Sequence, residues 1–290
     1  MEYAEREPYE EIPLLTADGI VIPKIGLEDA LSDNNHVNIV PTIAGYNRDE
    51  VKLWLSTATY FVDLDYSLIG SALNIPKVKL RNKASFEAFN FYRSSAWKIR
   101  GVDNPLRSLA QAGNKNLYAY RYDWDDHRRF VIADFKELIG AAHATEIPLL
   151  AGNNDLVGGY PLSDLIYPPS FSKRFTSKNM MRFWTNFAKN GIPGSSSNSI
   201  RWDSYLIDSK KSNFMILDKK KNLKMKDDSI SFESLTSKLV KDDRLNNLEK
   251  CVILLQMFTF VGNDLYDEYI KNYPMQCSRI ESEKFLIDNA

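Results

Sequence analysis

Cysteine and histidine are scarce in this chain of 290 residues, which has two cysteines and three histidines. A disulfide framework or a thiolate zinc site would need more cysteines than that. We therefore expect Cys251 and Cys277 to be reduced packing residues, although they could pair with each other. The three histidines lie far apart, at 36, 127 and 143, so a metal site would need carboxylates from several elements, and we expect none.

The sequence also lacks an excess of charge of one sign and a long apolar run. Lys and Arg number 37 against 38 Asp and Glu, which argues against a nucleic-acid partner. The longest apolar stretch, 251–261, is well short of the about 20 residues that cross a bilayer, and the acidic start has no apolar signal-peptide core. With 44% hydrophobic residues, the composition is typical of a soluble globular protein.

Several sequence motifs are absent. None of the 13 glycines begins a G-x-S-x-G, G-x-G-x-x-G or G-x-x-x-x-G-K pattern, so a nucleophile elbow, a dinucleotide loop and a P-loop are not expected. HExxH and CxxC do not occur either. Lysines cluster between 210 and 226 but are flanked by acids, and we expect a solvated hairpin there rather than a phosphate-binding patch.

Strand patterns alternate with helix patterns along the chain. Apolar or alternating runs predict strands within 36–50, 115–124 and 212–218. Apolar residues at helical spacing predict helices over 51–62, 84–100, 177–193 and 245–260, and a helical start to 135–152. Gly191 lies where a left-handed helix cap belongs, and Pro193 follows it. Strands separated by helices favour an α/β fold over a helical bundle or an all-β fold.

Two ionisable residues lie in loops near the ends of predicted strands. Glu50 closes GYNRDE, and His143 lies within GAAHATEIPLL. Because chemistry in α/β sheets collects at the carboxyl ends of strands, this carboxylate and this imidazole could form the acid–base part of a catalytic triad. Taken alone, a loop Glu is more often a surface charge and a single His a packed or exposed residue. We expect His36 and His127 to be of that ordinary kind.

Four segments carry a longer pattern: IPLLTADGIVIP (12–23), VPTIAGYNRDEVKLWL (40–55), GAAHATEIPLLAGN (140–153), and FWTNFAKNGIPG followed by RWDSY (183–205). In this order they resemble the type-B carboxylesterase/lipase family, the branch of the α/β-hydrolases that includes the cholinesterases. The second segment is similar to the family's acid loop and the third to its histidine loop. The resemblance implies that Glu50 is the triad acid and His143 the general base. It also implies that Glu146 acts structurally beside the histidine loop.

The same resemblance implies the C-terminal part of an α/β-hydrolase fold, a mostly parallel sheet flanked by helices and incomplete at its N-terminal side. In that family the oxyanion-hole glycines and the nucleophilic serine lie well upstream of the acid loop, and neither is among the residues before Glu50. We therefore expect 1–290 to be the C-terminal portion of a carboxylesterase type-B domain. Its expected parts are a connecting segment at 1–35, the two loops with core strands and helices at 36–205, and a hairpin and helix at 206–290.

The function implied is part of a serine carboxylic-ester hydrolase that takes a small-molecule ester and needs no cofactor. Because the serine is missing, we expect the isolated chain to be inactive, and a separate N-terminal half that carries the serine could be its partner. Two alternatives stay open, a non-catalytic cholinesterase-like binding domain and an unrelated α/β domain with chance matches. Retention of both Glu50 and His143 favours the enzyme. Val51 and Ala144 stand where many members of the family have Gly, which bears on the geometry of both loops.

Overall fold

The computed structural model describes residues 17–65, 77–130, 133–154, 162–205, 212–228, 230–260, 263–271, 273 and 276–289. The strands are β1 (Thr42–Asn47), β2 (Val62–Asp65), β3 (Lys77–Leu80), β4 (Leu117–Tyr122), β5 (Ser212–Leu217), β6 (Lys224–Asp228), β7 (Thr259–Phe260) and β8 (Asn263–Asp264). The helices are α1 (Leu27–Ser32), α2 (Lys52–Leu55), α3 (Lys83–Lys98), α4 (Asn104–Gln111), α5 (Phe135–Leu138), α6 (Ile147–Ala151), α7 (Leu162–Ile166), α8 (Phe171–Asn190), α9 (Phe232–Val240), α10 (Asn247–Phe258), α11 (Tyr266–Ile270) and α12 (Arg279–Asn289). A π-helical turn, Ile99–Asp103, joins α3 to α4. No described helix has the length and apolar character needed to cross a bilayer.

Four strands form the main sheet, in the order β1–β4–β5–β6. β1 and β4 run parallel, from Thr42 beside Leu117 to Asn47 beside Tyr122. β5 is parallel to β4, and β6 returns antiparallel to β5. Helices separate the parallel strands along the chain, so the predicted α/β fold with a mostly parallel sheet is confirmed. The three strands predicted from the sequence correspond to β1, β4 and β5.

Helices cover both faces of this sheet, because successive side chains of each strand point to opposite faces. One face packs against α8, in a cluster that includes Tyr118, Tyr122, Met215, Leu217, Met180 and Phe183. The other face packs against the π-helical turn and α4, in a cluster that includes Leu117, Ala119, Phe214, Ile216, Val102 and Leu106. The sheet is therefore buried on both sides, and its strand ends are left for loops that can carry polar side chains.

Beside the sheet lies a second core, which we call the helical cluster, in which α9, α10, α11 and α12 pack with α3. Its fully buried side chains include Phe86, Phe89, Tyr92, Leu239, Ile253, Leu254 and Phe258. The helices predicted over 84–100 and 245–260 are α3 and α10, and the one predicted over 177–193 is α8, which begins six residues earlier at Phe171. Gly191 caps α8 in the left-handed conformation, with φ of 70°, as predicted.

One helix prediction is wrong in length. The helix expected over 51–62 ends at Leu55, where the Ser56 and Thr57 hydroxyls donate to the carbonyls of Leu53 and Trp54 and compete with the helical pattern. The helical start expected for 135–152 is confirmed by α5, which ends at Leu138, and a second short helix begins at Ile147. Between them, Gly140 has a left-handed φ of 53°, which breaks the helix and opens the loop that carries His143.

Cys251 and Cys277 form a disulfide, so the prediction that both are reduced is wrong. Cys251 lies on α10, and Cys277 lies just before α12, with their Cα atoms 5.4 Å apart. That spacing is within the range that a disulfide bridges. The packing of α12 on α10 brings the two cysteines together, a contact that their spacing along the chain does not reveal.

The lysine-rich segment forms the β5–β6 hairpin, as predicted, with Lys220, Lys221, Lys224 and Lys226 exposed. Lys219, at the turn, instead pairs with Asp126 at 3.0 Å. Lys210 and Lys211 lie outside the described residues. So do residues 1–16 of the predicted connecting segment, which spans 1–35. The division into parts at 35 and 205 stays a prediction.

Candidate active site

The acid loop is the turn that follows β1, residues 48–51, and it buries the Glu50 carboxylate. Glu50 is 4% exposed. Its Oε1 accepts a hydrogen bond from the Asn47 backbone N–H at 2.7 Å, which fixes the carboxylate from the end of the strand. The second oxygen, Oε2, is thereby left to face a partner on another loop.

That partner is His143, on the histidine loop (139–146) between α5 and α6. The distance from His143 Nδ1 to Glu50 Oε2 is 2.9 Å, and the His143 backbone N–H donates to the Glu50 carbonyl at 3.1 Å. The imidazole side chain is 44% exposed, and its Nε2 has no hydrogen-bond partner among the described residues. The structure therefore brings together the acid and the histidine that the sequence singled out.

This geometry sets the protonation chemistry of the ring. A carboxylate that accepts from Nδ1–H holds the tautomer in which Nε2 carries the lone pair. The Glu50 hydrogen bond raises the pKa of His143 above its ordinary value, and partial burial opposes that rise without cancelling it. The ring can thus take a proton at Nε2, and the imidazolium that forms is stabilised by Glu50.

Two tryptophans that the sequence reasoning missed flank the imidazole. The ring centroids of Trp54 and Trp97 each lie 5.3 Å from that of His143, and the two indoles stack on each other at 6.3 Å. Trp54 follows the acid loop on α2, so its place near Glu50 could have been read from the sequence. Trp97 comes from α3, and no local pattern connects it to either loop. Together the indoles provide an apolar wall beside the imidazole.

Glu146 lies at the N-cap position of α6 and joins the two loops through Asn47. The Asn47 side-chain amide donates both to the Glu146 carboxylate and to the Ala142 carbonyl, the latter at 2.7 Å. Burial raises the pKa of the Glu146 carboxyl, the hydrogen bond from Asn47 lowers it, and the nearby Glu50 raises it further. These contacts fit the structural role expected of Glu146, which stays a prediction. The sequence reasoning had no signal for Asn47 beyond its place at the end of a strand.

The two departures from the family pattern behave differently. Val51 has φ of −90° and ψ of −3°, a conformation open to any residue, and its side chain is buried. Ala144 has φ of 64°, in the left-handed region that an L-residue enters only with strain. The missing Gly therefore has a conformational consequence at 144 but none at 51.

The other two histidines have contacts away from the pair. His36 is exposed and lies 2.9 Å from Asp33. His127 is buried, with Nδ1 2.6 Å from the Ile166 carbonyl and Nε2 2.7 Å from the Gly140 carbonyl. Burial lowers the pKa of His127, so the neutral ring donates to one of these two carbonyls at a time. The Ile166 contact links His127 to α7, and the Gly140 contact links it to the histidine loop. His127 therefore has a structural role.

A charged cavity borders the acid loop through Arg48 and Asp49. It has a volume of about 450 Å³ and is lined by charged side chains: Arg48, Asp49, Lys52, Lys83, Glu87, Asp125, Arg129, Asp134, Lys136 and Glu137. His143 does not line it. Among the described residues, no three His, Cys, Asp or Glu side chains converge as a group that could hold a metal ion. In the described part of the chain, the half-exposed His143 ring lies beside the two indoles, and its partner Glu50 is buried.

Comparison with known proteins places this chain in a family. The model of the carboxylesterase family matches residues 88–233, half of the chain, and the match includes the histidine loop. Among solved structures, the chain is similar to a PNB esterase, with 17% identity, a TM-score of 0.44, and coverage of 71% of this chain and 40% of that one. It is also similar to the Geobacillus stearothermophilus carboxylesterase EST55, with 16% identity, a TM-score of 0.47, and coverage of 76% and 44%.

The chain spans less than half the length of both of these solved esterases. None of the curated proteins compared with it matches the chain. The family match nevertheless covers half of the sequence and agrees with the resemblance seen in the sequence segments. The chain belongs to the carboxylesterase family.

Proposed function

We propose that this chain supplies the acid and the general base of a serine carboxylic-ester hydrolase that acts on small-molecule esters. The observation that supports the proposal most is the Glu50–His143 pair, in which a buried carboxylate lies 2.9 Å from Nδ1 of a half-exposed imidazole. Membership of the carboxylesterase family supports the class of reaction. No metal or organic cofactor takes part in the proposed chemistry.

The proposed reaction is acyl transfer in two steps. A serine hydroxyl attacks the ester carbonyl while Nε2 of His143 takes its proton, and the imidazolium then returns that proton to the leaving alcohol. Water repeats the attack on the acyl-enzyme with the same help from His143. Glu50 holds the ring and stabilises its charged form in both steps. Since Glu50 raises the pKa of His143, the neutral base forms at higher pH than in an isolated imidazole.

The serine of this proposal lies outside the 290 residues, because no G-x-S-x-G elbow occurs in them. An esterase that loses one triad residue keeps roughly 10³–10⁴-fold catalysis through its oxyanion hole and binding pocket. Here the elbow and the glycines expected to form the oxyanion hole are both absent from the sequence. We therefore propose that the chain alone is inactive, and that a serine-bearing N-terminal half, encoded upstream or separately, completes the site.

The test compares the chain alone with the chain co-expressed with such a serine-bearing segment. We expect the chain alone neither to hydrolyse p-nitrophenyl butyrate above the buffer rate nor to react with a fluorophosphonate probe. With the segment present, we expect the probe to label the segment's serine, and His143→Ala to abolish that labelling. His36→Ala is the matched control and should leave labelling unchanged, because His36 contacts Asp33 and not the pair.

Two outcomes would contradict the proposal. Hydrolysis by the chain alone that disappears in His143→Ala would place the nucleophile within these 290 residues. A folded complex with the serine-bearing segment that still fails to react with the probe would favour the alternative, a non-catalytic binding domain of the same family.

A further inference from the structure

Asp49, the residue before Glu50, is a buried carboxylate that the proposed chemistry does not use. Its side chain is 6% exposed. A carboxylate removed from water in this way is retained only where cations and hydrogen-bond donors replace the lost hydration. Arg48 donates to Oδ2 through Nε at 3.0 Å and Nη2 at 2.6 Å, and Lys52 Nζ lies 3.9 Å from Oδ1. Burial raises the pKa of Asp49, but Arg48 and Lys52 outweigh it, so the pKa lies below its usual value.

The remaining contacts of Asp49 reach the histidine loop. Its Oδ2 accepts from the Ala141 backbone N–H at 3.0 Å, and its own backbone N–H donates to the Ala141 carbonyl at 3.0 Å. Asp49 therefore binds both the N–H and the carbonyl of Ala141, which lies two residues before His143. Gly140 permits this approach, because a Cβ at that position would lie 2.5 Å from Oδ2.

Asp49 also fixes α3 against the same loops. Its Oδ1 accepts from the Asn90 side-chain amide at 2.7 Å. The Asn90 carbonyl oxygen accepts from the Ser94 hydroxyl at 3.0 Å. The same helix carries Trp97, whose indole lies against the His143 ring. One carboxylate thus contacts the histidine loop and the helix that borders the imidazole.

We propose that Asp49 is a positioning residue that sets the place of the histidine loop, and through it the orientation of the His143 ring toward Glu50. This inference rests on the proposed function, since it concerns the same acid–histidine pair. Asp49 does not touch the ring, so its effect is exerted through Ala141 and Asn90. The resulting expectation is that Glu50 alone does not hold the ring when Asp49 is neutralised.

The test substitution is Asp49→Asn, which keeps the size of the side chain. Either orientation of the new amide turns its NH₂ group toward a donor, which is Asn90 in one case and Ala141 with Arg48 in the other. The readout is the ¹⁵N shifts of the His143 imidazole by NMR, which distinguish the two neutral tautomers. With only three histidines in the chain, assignment is direct. We expect the wild type to hold the Nδ1–H tautomer and Asp49→Asn to lose it to a mixture, with a lower His143 pKa.

Asp125→Asn is the matched control. It removes a carboxylate of the same ionic network, because Asp125 pairs with Arg48 at 3.0 Å and Lys136 at 2.7 Å, but its side chain has no hydrogen bond to the histidine loop. We expect its His143 tautomer to be that of the wild type. A change of equal size in both variants would show that only loss of charge matters, and that result would overturn the inference.

If Asp49→Asn does not fold, Gly140→Ala tests the same contact from the other side. Its methyl group meets Oδ2, and Ala144 shows that an alanine can occupy the left-handed region in this loop. Loss of the Nδ1–H tautomer in the variant that folds supports the inference, and retention of that tautomer there overturns it. A wild-type His143 that lacks this tautomer would overturn the proposed function and the inference together.

Discussion

Two regions of this molecule are held together by different forces. The acid loop and the histidine loop, which we call the loop pair, are joined by buried polar side chains, among them Asn47, Asp49 and Glu50. The helical cluster is joined by buried aromatic and aliphatic side chains and by the disulfide. α3 belongs to both, because Asn90 contacts the loop pair while Phe86 and Phe89 lie in the helical cluster.

Because the two regions are held by different forces, one mainly determines the stability of the fold and the other mainly determines the geometry of the acid–histidine pair. Apolar burial is non-directional and grows with the area removed from water, so the helical cluster contributes mainly to the free energy of unfolding. Each hydrogen bond contributes about 0.5–1.5 kcal/mol between neutral groups and about 1.5–3 kcal/mol where one group is charged, but hydrogen bonds are directional and fix atoms relative to one another. We expect changes in the helical cluster to alter stability and leave the His143 tautomer as it is, and changes to the polar side chains of the loop pair to alter that tautomer, with smaller effects on stability.

The largest effect is expected for Phe258→Ala in the helical cluster. Phe258 is fully buried, with its ring stacked on Tyr269 at 3.9 Å and tilted against Phe232 at 4.9 Å. Replacing a buried Phe by Ala removes apolar contacts and leaves a cavity, at a cost of about 3–5 kcal/mol. Urea unfolding followed by fluorescence measures the change. Ile280→Ala is the control, because that side chain is 78% exposed and should change stability by less than about 0.5 kcal/mol. A changed His143 tautomer in folded Phe258→Ala would break the separation of the two regions.

The disulfide is expected to contribute the next largest effect. Cys251 and Cys277 are 26 residues apart along the chain, and a cross-link over such a loop stabilises a fold by about 3 kcal/mol. Reduction, or the double change Cys251→Ala and Cys277→Ala, should lower the unfolding free energy by that amount. In the double variant, a reductant should then have no further effect. Equal free energies of unfolding for the oxidised and the reduced wild type would show that the disulfide does not stabilise the fold.

In both regions the sequence predicts more of the secondary structure than of the contacts between distant residues. The elements of both follow from local patterns, because helix caps, alternating strands and the Gly191 cap act within a few residues. Glu50 and His143 are predicted because the segments around them resemble the family's acid loop and histidine loop. Their neighbours Asn47, Asp49 and Trp97 are not, since their roles arise from contacts between distant parts of the chain.

The disulfide and the early end of α2 show the same limit. Apolar spacing indicates that α10 has a buried face, but not that Cys277 packs against it. The run that follows Glu50 has helical spacing, yet Ser56 and Thr57 end the helix by bonding to nearby carbonyls. Periodicity predicts which side of an element is buried, whereas tertiary contacts decide which residues meet.

A smaller effect, with a pH dependence, is expected for Glu50→Gln in the loop pair. Glu50 raises the pKa of His143 in the folded protein. The pair therefore contributes its full share to the free energy of unfolding at pH values below the His pKa in the unfolded chain, about 6.5. This contribution is lost as the pH rises through the raised folded value. The exposed ring limits the contribution to about 1 kcal/mol or less. Below about pH 6, on the acidic side of histidine titration, we expect the wild type to have a higher free energy of unfolding than Glu50→Gln. This difference should shrink toward alkaline pH.

Urea unfolding across this pH range measures that difference, and NMR titration of His143 should show a lower pKa in Glu50→Gln. His36→Gln is the control, because an exposed histidine beside Asp33 leaves the loop pair untouched. A stability difference that grows with pH would contradict the sign argued from the Glu50 hydrogen bond.

The smallest effect is expected for Ala144→Gly, at one of the two positions where this chain lacks the family's glycine. Val51→Gly, at the other position, is its comparison and should have the larger effect, because the Val51 side chain is buried. Ala144 has φ of 64°, which costs an L-residue about 1–2 kcal/mol, whereas Gly adds about 0.4–1 kcal/mol of unfolded-state entropy. Ala144→Gly should therefore raise the free energy of unfolding by a few tenths to about 1 kcal/mol, and the urea midpoint with it. Val51→Gly should lower it, because Val51 has an ordinary backbone conformation and a buried side chain. Shifts of the same sign would mean that strain at 144 does not govern the loop. Opposite signs would mean that one departure from the family pattern costs stability while the other provides packing.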